Sequence, residues 1–310
     1  MRVVVTGGTG YLGSAIVRAL ARAGHSPVVF SRHASAAGLA GTAVNGDVRD
    51  AAAVRRAVGG ADAVCHAAAL VSVWQRRPTA FEDVNIAGLR TVLDACAALR
   101  TPRIVYTSSF LALPPADAPE PLAANDYQRT KAQAREVARR AAAGGLPIVS
   151  LVPGVIYGPG PATEGNLVGR LIRDHLAGAL PGLIAPDRRW SYAYVDDVAD
   201  AHVRALTDGR AGEEYPLGGE NAPQMRVFEI VSELTGRPLP RRIPLAAAWA
   251  VALAEEARAR VTGRPPRLTR GAVRIFRHDW SMDSARSVAE LSYRIRPLKD
   301  GIRALLAARA

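Results

Sequence analysis

The chain has 310 residues, 49% of them hydrophobic and 22% charged, which suits a soluble globular protein of one large domain or two. No apolar run approaches the ~20 residues of a membrane-spanning helix. Cys65 and Cys96 are too few for a disulfide framework, have no metal-ligand spacing and read as core thiols. The net charge of +12 is uneven, because residues 237–310 hold 16 basic and 6 acidic residues. That region reads as a solvated basic face, or as an attractor for an anionic substrate or an acidic membrane surface. No basic patch is interleaved with aromatics, so no nucleic-acid partner is expected. The opening Met-Arg-Val-Val-Val-Thr-Gly-Gly lacks a secretory apolar segment, so the expected location is cytoplasmic.

Arg2 to Thr6 is a β-rich run that leads into Gly7-Gly8-Thr9-Gly10-Tyr11-Leu12-Gly13. A helical pattern follows, with Leu12, Ile16, Val17 and Leu20 on one face, and Pro27 to Phe30 is a second strand. Strand, glycine loop, helix and strand in this order open a dinucleotide-binding fold. The glycines give a tight turn, close backbone approach to a pyrophosphate and close helix packing, while the first N–H groups of the helix face the phosphates. The second strand ends at Ser31-Arg32-His33, with no acid between His25 and Gly46. An acid there would bond a ribose 2′-hydroxyl, whereas Arg32 suits a 2′-phosphate. NADP(H) is therefore favoured, with NAD(H) as the alternative if Arg32 only stacks beside the adenine.

Gly46-Asp47-Val48 ends a third strand, and Asp47 either bonds the adenine or caps the helix starting near Asp50. Asp62 to His66 is a fourth strand, opening into Ala67-Ala68-Ala69, whose small side chains admit a cofactor. His66 reads as a satisfied strand-end histidine. One long helix is expected from about Ala80 to Leu99, carrying Asn85. Arg103 to Thr107 is the fifth strand, before Ser108 and Ser109. The next helix carries Tyr127 and Lys131, one turn apart and able to share a face. The chain has only two lysines, Lys131 and Lys299, against 38 arginines, so the compact ammonium at Lys131 stands out. A Tyr beside such a charge should have its phenolate stabilised. Leu146 to Val152 is the sixth strand, running into Pro153 to Gly160. Strands are also expected at Trp190 to Val195 and Glu214 to Leu217. The alternation predicts an α/β fold with a doubly wound parallel sheet. Residues 1–160 would form the dinucleotide-binding core. Residues 161–310 would complete it at about 191–218 and build a smaller, mostly helical substrate lobe.

The glycine loop, Gly46-Asp47-Val48, His66 to Ala69, Asn85, Thr107-Ser108-Ser109, Tyr127 with Lys131, Pro153 to Gly160 and Val195-Asp196-Asp197-Val198 together resemble the extended short-chain dehydrogenase/reductases, the epimerase/dehydratase superfamily. Within it the chain is most similar to the dihydroflavonol-reductase-like and farnesol-dehydrogenase-like branch. The resemblance implies a Rossmann fold and a homodimer. It assigns Tyr127 as general acid/base, Ser109 as the hydroxyl that bonds the reacting oxygen, and Lys131 as the charge that favours the phenolate and holds the ribose. It also implies cofactor contacts from Gly7, Thr9, Gly10, Tyr11, Leu12, Gly13, Ser31, Arg32, Asp47, Val48, Ala67, Ala68, Ala69, Asn85, Lys131, Pro153 and Val155. Phe110-Leu111 stand where sugar-nucleotide 4,6-dehydratases carry an acidic pair, so an apolar substrate is expected, lined by Trp74, Ser109, Phe110, Tyr157 and Trp190. The implied activity is interconversion of an alcohol and a carbonyl on a hydrophobic small molecule. The alternatives are a sugar-nucleotide epimerase and a non-catalytic dinucleotide-binding protein.

Overall fold

A computed structural model describes residues 1–161 and 163–308. Strands β1 (Arg2–Thr6), β2 (Ser26–Ser31), β3 (Thr42–Asn45), β4 (Ala63–His66), β5 (Ile104–Thr107) and β6 (Ile148–Pro153) pair in parallel. The small strands β7 (Val155–Tyr157), β8 (Leu183–Ile184) and β9 (Arg189–Tyr194) precede β10 (Glu214–Leu217), which lies parallel beside β6. The seven-stranded sheet thus runs β3-β2-β1-β4-β5-β6-β10. Its order reverses between β1 and β4, so the loops after these two strands open a crevice at their carboxyl ends. Val3, Val4 and Val5 are fully buried because helices cover both faces, and a strand buried on both sides must be continuously apolar. Helices Tyr11–Arg22 and Val195–Ala205 cover one face. Helices Ala51–Val58, Gly88–Ala98 and Asp126–Ala143 cover the other.

Two elements differ from the sequence expectation. The helix expected from Ala80 to Leu99 is interrupted: Thr79–Glu82 and Gly88–Ala98 flank a π-helical turn, Asp83–Ala87, which holds Asn85. Such turns rarely persist without a local reason, and here Asn85 supplies one. Within the stretch expected to complete the core, only β10 enters the main sheet. β9 instead joins a three-stranded sheet with β7 and β11 (Glu220–Pro223). Its side chains Trp190, Tyr192 and Tyr194 pack in a separate aromatic core with Tyr157, Phe228 and Trp280. A third small sheet pairs β8 with β12 (Arg242–Ile243), and helices Leu245–Thr262 and Arg270–Phe276 follow it. No helix among the described residues is long and apolar enough to cross a membrane.

Candidate active site

The glycine loop is built by contacts that exclude side chains. Gly7 has φ +69°, its N–H donates to the Phe30 carbonyl at 2.9 Å, and a Cβ there would come within 2.7 Å of Ala68 Cα. A Cβ on Gly13 would collide with the Gly7 carbonyl oxygen. The loop therefore presses against both the following helix and the Ala67–Ala69 segment. Gly10 is the helix N-cap and offers no side-chain acceptor, which leaves first-turn N–H groups for an anion. Thr9 Oγ1 donates to Ser31 Oγ at 3.0 Å and ties the loop to the end of β2. This cradle fits a dinucleotide diphosphate. The Tyr11 side chain turns away from it, because its hydroxyl donates to the Gly158 carbonyl at 3.1 Å. Leu12 packs against the core beneath.

At the adenosine end, Arg32 is exposed and Ser31 half-buried. Asp47 is not a helix cap. Asp50 takes that role, accepting from the N–H groups of Ala52 and Ala53. The Asp47 carboxylate is occupied by Arg49, which donates through its backbone N–H and Nε at 2.9 Å each and Nη2 at 2.7 Å. Arg49, helped by Arg32, holds this carboxyl below the usual carboxylate range. The sequence reading missed Arg49, although its position two residues after Asp47 was the available signal. Val48 is buried against Gly88, and Pro153 and Val155 are buried behind the crevice.

Helix Asp126–Ala143 starts on Asn125, whose side chain accepts from the Gln128 N–H at 2.8 Å. It brings Tyr127 and Lys131 under the end of β5. Ser109, at the N-cap of a short 3-10 turn, accepts from the Leu111 N–H at 3.2 Å, and its hydroxyl meets the Tyr127 phenol. Lys131 is 4% exposed, donates to the Thr107 carbonyl at 3.0 Å and lies 5.3 Å from the centre of the Tyr106 ring. Burial moves both groups toward neutrality. The Tyr127 phenol is pushed up to about 12, with the Ser109 hydrogen bond acting the other way. The Lys131 ammonium is pushed down to about 8. Loss of hydration is the larger cause at both groups.

Two residues around this set were undervalued in the sequence. Asn85 is 4% exposed, accepts from the Leu70 N–H at 2.7 Å and donates to Thr130 Oγ1 at 3.0 Å. Its side chain clamps the loop after β4 to the Tyr127 helix. Asn85→Leu should cost about 2–3 kcal/mol in denaturant unfolding, because the Leu70 N–H and Thr130 hydroxyl lose a buried partner. His202 was not singled out. Its Nε2 lies 2.9 Å from Thr107 Oγ1 and its Nδ1 2.8 Å from the Val198 carbonyl. It buttresses the residue whose carbonyl holds Lys131, and its spacing of four from Val198 on a helix was the only clue. His66 is buried beside Thr6 Oγ1 at 2.8 Å, and burial together with Lys131 pushes it down to about 3. It stays neutral and takes no part in proton exchange near neutral pH.

The residues expected to line a substrate divide. Trp74 is half-buried in the loop 67–78, where Ser72 Oγ donates to its carbonyl at 2.8 Å. Phe110 meets Trp280 edge-to-face at 5.3 Å and, with Leu113, Pro114, Pro216 and Met282, lines an open cleft. Tyr157 and Trp190 do not line it. Tyr157 is fully buried with its hydroxyl against Gly301, and Trp190 is 3% exposed and stacked on Phe276 at 5.1 Å. Their aromatic surface is spent inside the C-terminal core. Among the described residues no cluster of His, Cys, Asp or Glu could hold a metal ion.

Residues 3–218 match the family model described as the NAD dependent epimerase/dehydratase family. Sterol demethylase protein B of Methylococcus capsulatus is 32% identical over 94% of this chain and 93% of its own length. A provisionally named dihydroflavonol 4-reductase of Synechocystis is 29% identical over 93% of this chain and 88% of its own. Among solved structures, UDP-glucose 4-epimerase of Thermus thermophilus in complex with NAD has a TM-score of 0.76 at 25% identity, covering 99% of this chain and 98% of that one. With the reversal of sheet order at the glycine loop and a Tyr and a Lys under β5, these matches show that the chain belongs to the NAD dependent epimerase/dehydratase family of enzymes.

Proposed function

We propose that this enzyme interconverts an alcohol and a carbonyl on a hydrophobic small molecule, using NADP(H) in preference to NAD(H). The observation that carries the reading is the convergence of Ser109, Tyr127 and Lys131 beside the glycine cradle. Lys131 acts on His66, at the end of β4, and the cradle rests on Ala68 just beyond it. The glycine loop would hold the diphosphate, and the dinucleotide would supply the hydride chemistry. The chain's own residues handle the proton. A partly buried phenol kept protonated at neutral pH is a ready donor to a carbonyl oxygen, and in the reverse direction Tyr127 takes the alcohol proton. The Ser109 hydroxyl bonds the same oxygen and steadies its charge. Lys131, fixed by the Thr107 carbonyl, keeps a positive charge near the phenol and faces the ribose.

The apolar character follows from Phe110 and the cleft it lines, and the names of the sterol and dihydroflavonol relatives point to lipophilic substrates. An absorbance screen of alcohols and aldehydes with both dinucleotides tests the reading: net turnover of free cofactor is expected. The second reading, a sugar-nucleotide epimerase, is favoured by the solved neighbour. It would give no net turnover and would retain bound dinucleotide through purification. A non-catalytic protein would turn over nothing.

The preference for NADP(H) rests on Arg32 and Arg49, two guanidiniums flanking Asp47 at the ends of β2 and β3. Arg32→Asp should weaken NADPH binding at least about tenfold while changing NADH binding little, as measured by fluorescence titration. Equal losses for both dinucleotides would sink the assignment. A homodimer is also proposed, through the groove lined by Ile86, Arg90, Val137 and Arg140 on the two helices flanking the site.

A further inference from the structure

Helix Leu245–Thr262 is built backwards for an outer helix. Ala248, Ala252 and Ala259 are its buried residues, and the first two pack on Val273 of helix Arg270–Phe276. At 100° per residue, the opposite arc carries Leu253, Ala257, Ala250, Val261, Ala254 and Val251. Val251 is 53% exposed, Leu253 52% and Val261 88%. A solvated helix normally turns charge outward and apolar residues inward. Here the one charged side chain within that arc is Arg258, which is tied to Glu255. The two acids of the helix lie toward its inner side and are consumed: Glu255 accepts from Arg258 and the Arg267 N–H, and Glu256 binds Arg270.

The surroundings are positive. Arg260, on the flank of this face, and Arg264, just past the helix end, are exposed and carry no ion pair among the described residues; Arg274, also exposed, lies 5.7 Å over the Trp249 ring. Residues 237–310 supply most of the chain's net positive charge, with 16 basic residues against 6 acidic. An apolar face rimmed by arginines complements an anionic lipid surface. It does not complement itself, because a two-fold contact through this helix would set the arginines of one copy against those of the other. The apolar arc is too short to span a bilayer, so the helix would lie along the surface.

We propose that helix Leu245–Thr262 is a membrane-docking element, its outward face entering the headgroup region of an anionic bilayer while the flanking arginines pair with lipid phosphates. The helix ends at Gly263, φ +66°, where the Arg76 guanidinium from the Trp74 loop lies against the backbone. Gly271, at the start of the supporting helix, abuts Ala124, just before the cap of the Tyr127 helix. On the oxidoreductase reading, and resting on it, the docked face would hold the Trp74 loop close to the bilayer in which an apolar substrate dissolves.

Flotation of the full chain with vesicles tests docking without needing turnover. Wild-type protein should float with vesicles of equal parts phosphatidylglycerol and phosphatidylcholine, and at least about tenfold less with phosphatidylcholine alone. The double variant Val251→Asp/Leu253→Asp, at exposed positions, should melt like wild type and lose at least about tenfold in partition to the anionic vesicles. Wild type left in the soluble fraction, or a variant that floats equally well, overturns the proposal. So does a wild-type dimer that dissociates on the double substitution, which would assign the face to a second copy. Any of these failures leaves the oxidoreductase reading untouched, and failure of that reading leaves the vesicle result standing.

Discussion

Tyr127→Phe should lower kcat by roughly 10²–10⁴-fold, the usual worth of a positioned general acid or base, while dinucleotide affinity changes little. The substitution removes one oxygen from a side chain packed against the aromatic core near Phe110 and Leu122, so the fold should survive. The neighbouring Ser109 hydroxyl keeps the Leu111 N–H at 3.2 Å. Steady-state kinetics and a dinucleotide titration on the same preparation separate chemistry from binding. A Phe variant with near-normal turnover would remove Tyr127 from proton transfer and with it the mechanism. Loss of dinucleotide affinity in parallel with kcat would instead mean that Tyr127 shapes the cofactor site.

Lys131→Met should do two opposite things: abolish turnover and stabilise the fold. Burial lowers the Lys131 ammonium to about 8 in the folded chain, against roughly 10.4 in an unfolded one. A lysine depressed in this way costs stability wherever both states hold the proton, which is everywhere below about pH 8. Between pH 8 and about 10.4 the unfolded chain binds more protons, so stability rises with pH as the cost is relieved. The shift corresponds to roughly 3 kcal/mol at neutral pH. Loss of the bond to the Thr107 carbonyl returns about 1 kcal/mol of that. A net gain near 2 kcal/mol at pH 7 is the expected outcome by denaturant unfolding, with a flatter stability profile from pH 8 to 10. A less stable Met variant at pH 7 would show that the ammonium is better solvated than its burial implies.

Both experiments depend on residues that differ in how legible they were. The glycine loop, the order of strands and the Tyr127–Lys131 pair were readable because each is a local pattern. Spacing between Gly7 and Gly13, alternation of strand and helix, and two side chains one helical turn apart need only neighbouring sequence. β10 was placed to the residue, since Glu214–Leu217 is a compact run bounded by charge and glycine. The interruption at Asp83–Ala87 was not readable, because the contacts that hold Asn85 there come from Leu70 and Thr130, far along the chain.

The substrate side was the least legible part. Tyr157 and Trp190 have the composition of pocket aromatics, and sequence cannot tell an aromatic that lines a cleft from one that fills a core. Gly301 and Phe276 decided the matter, and they lie 144 and 86 residues away respectively. His202 was missed for the same reason, since its partner Thr107 lies 95 residues away, whereas Arg49 pairs with Asp47 only two residues before it and was legible. The sequence by itself determined the family, the parallel sheet, the glycine cradle and the Tyr127–Lys131 pair proposed for the chemistry, because these are written in short-range spacing. The tertiary structure alone decided the direction in which that pair is shifted, since hydration is lost only when helix Asp126–Ala143 docks under β5. It also decided which aromatics are walls and which are core, and that one C-terminal helix turns its apolar side outward.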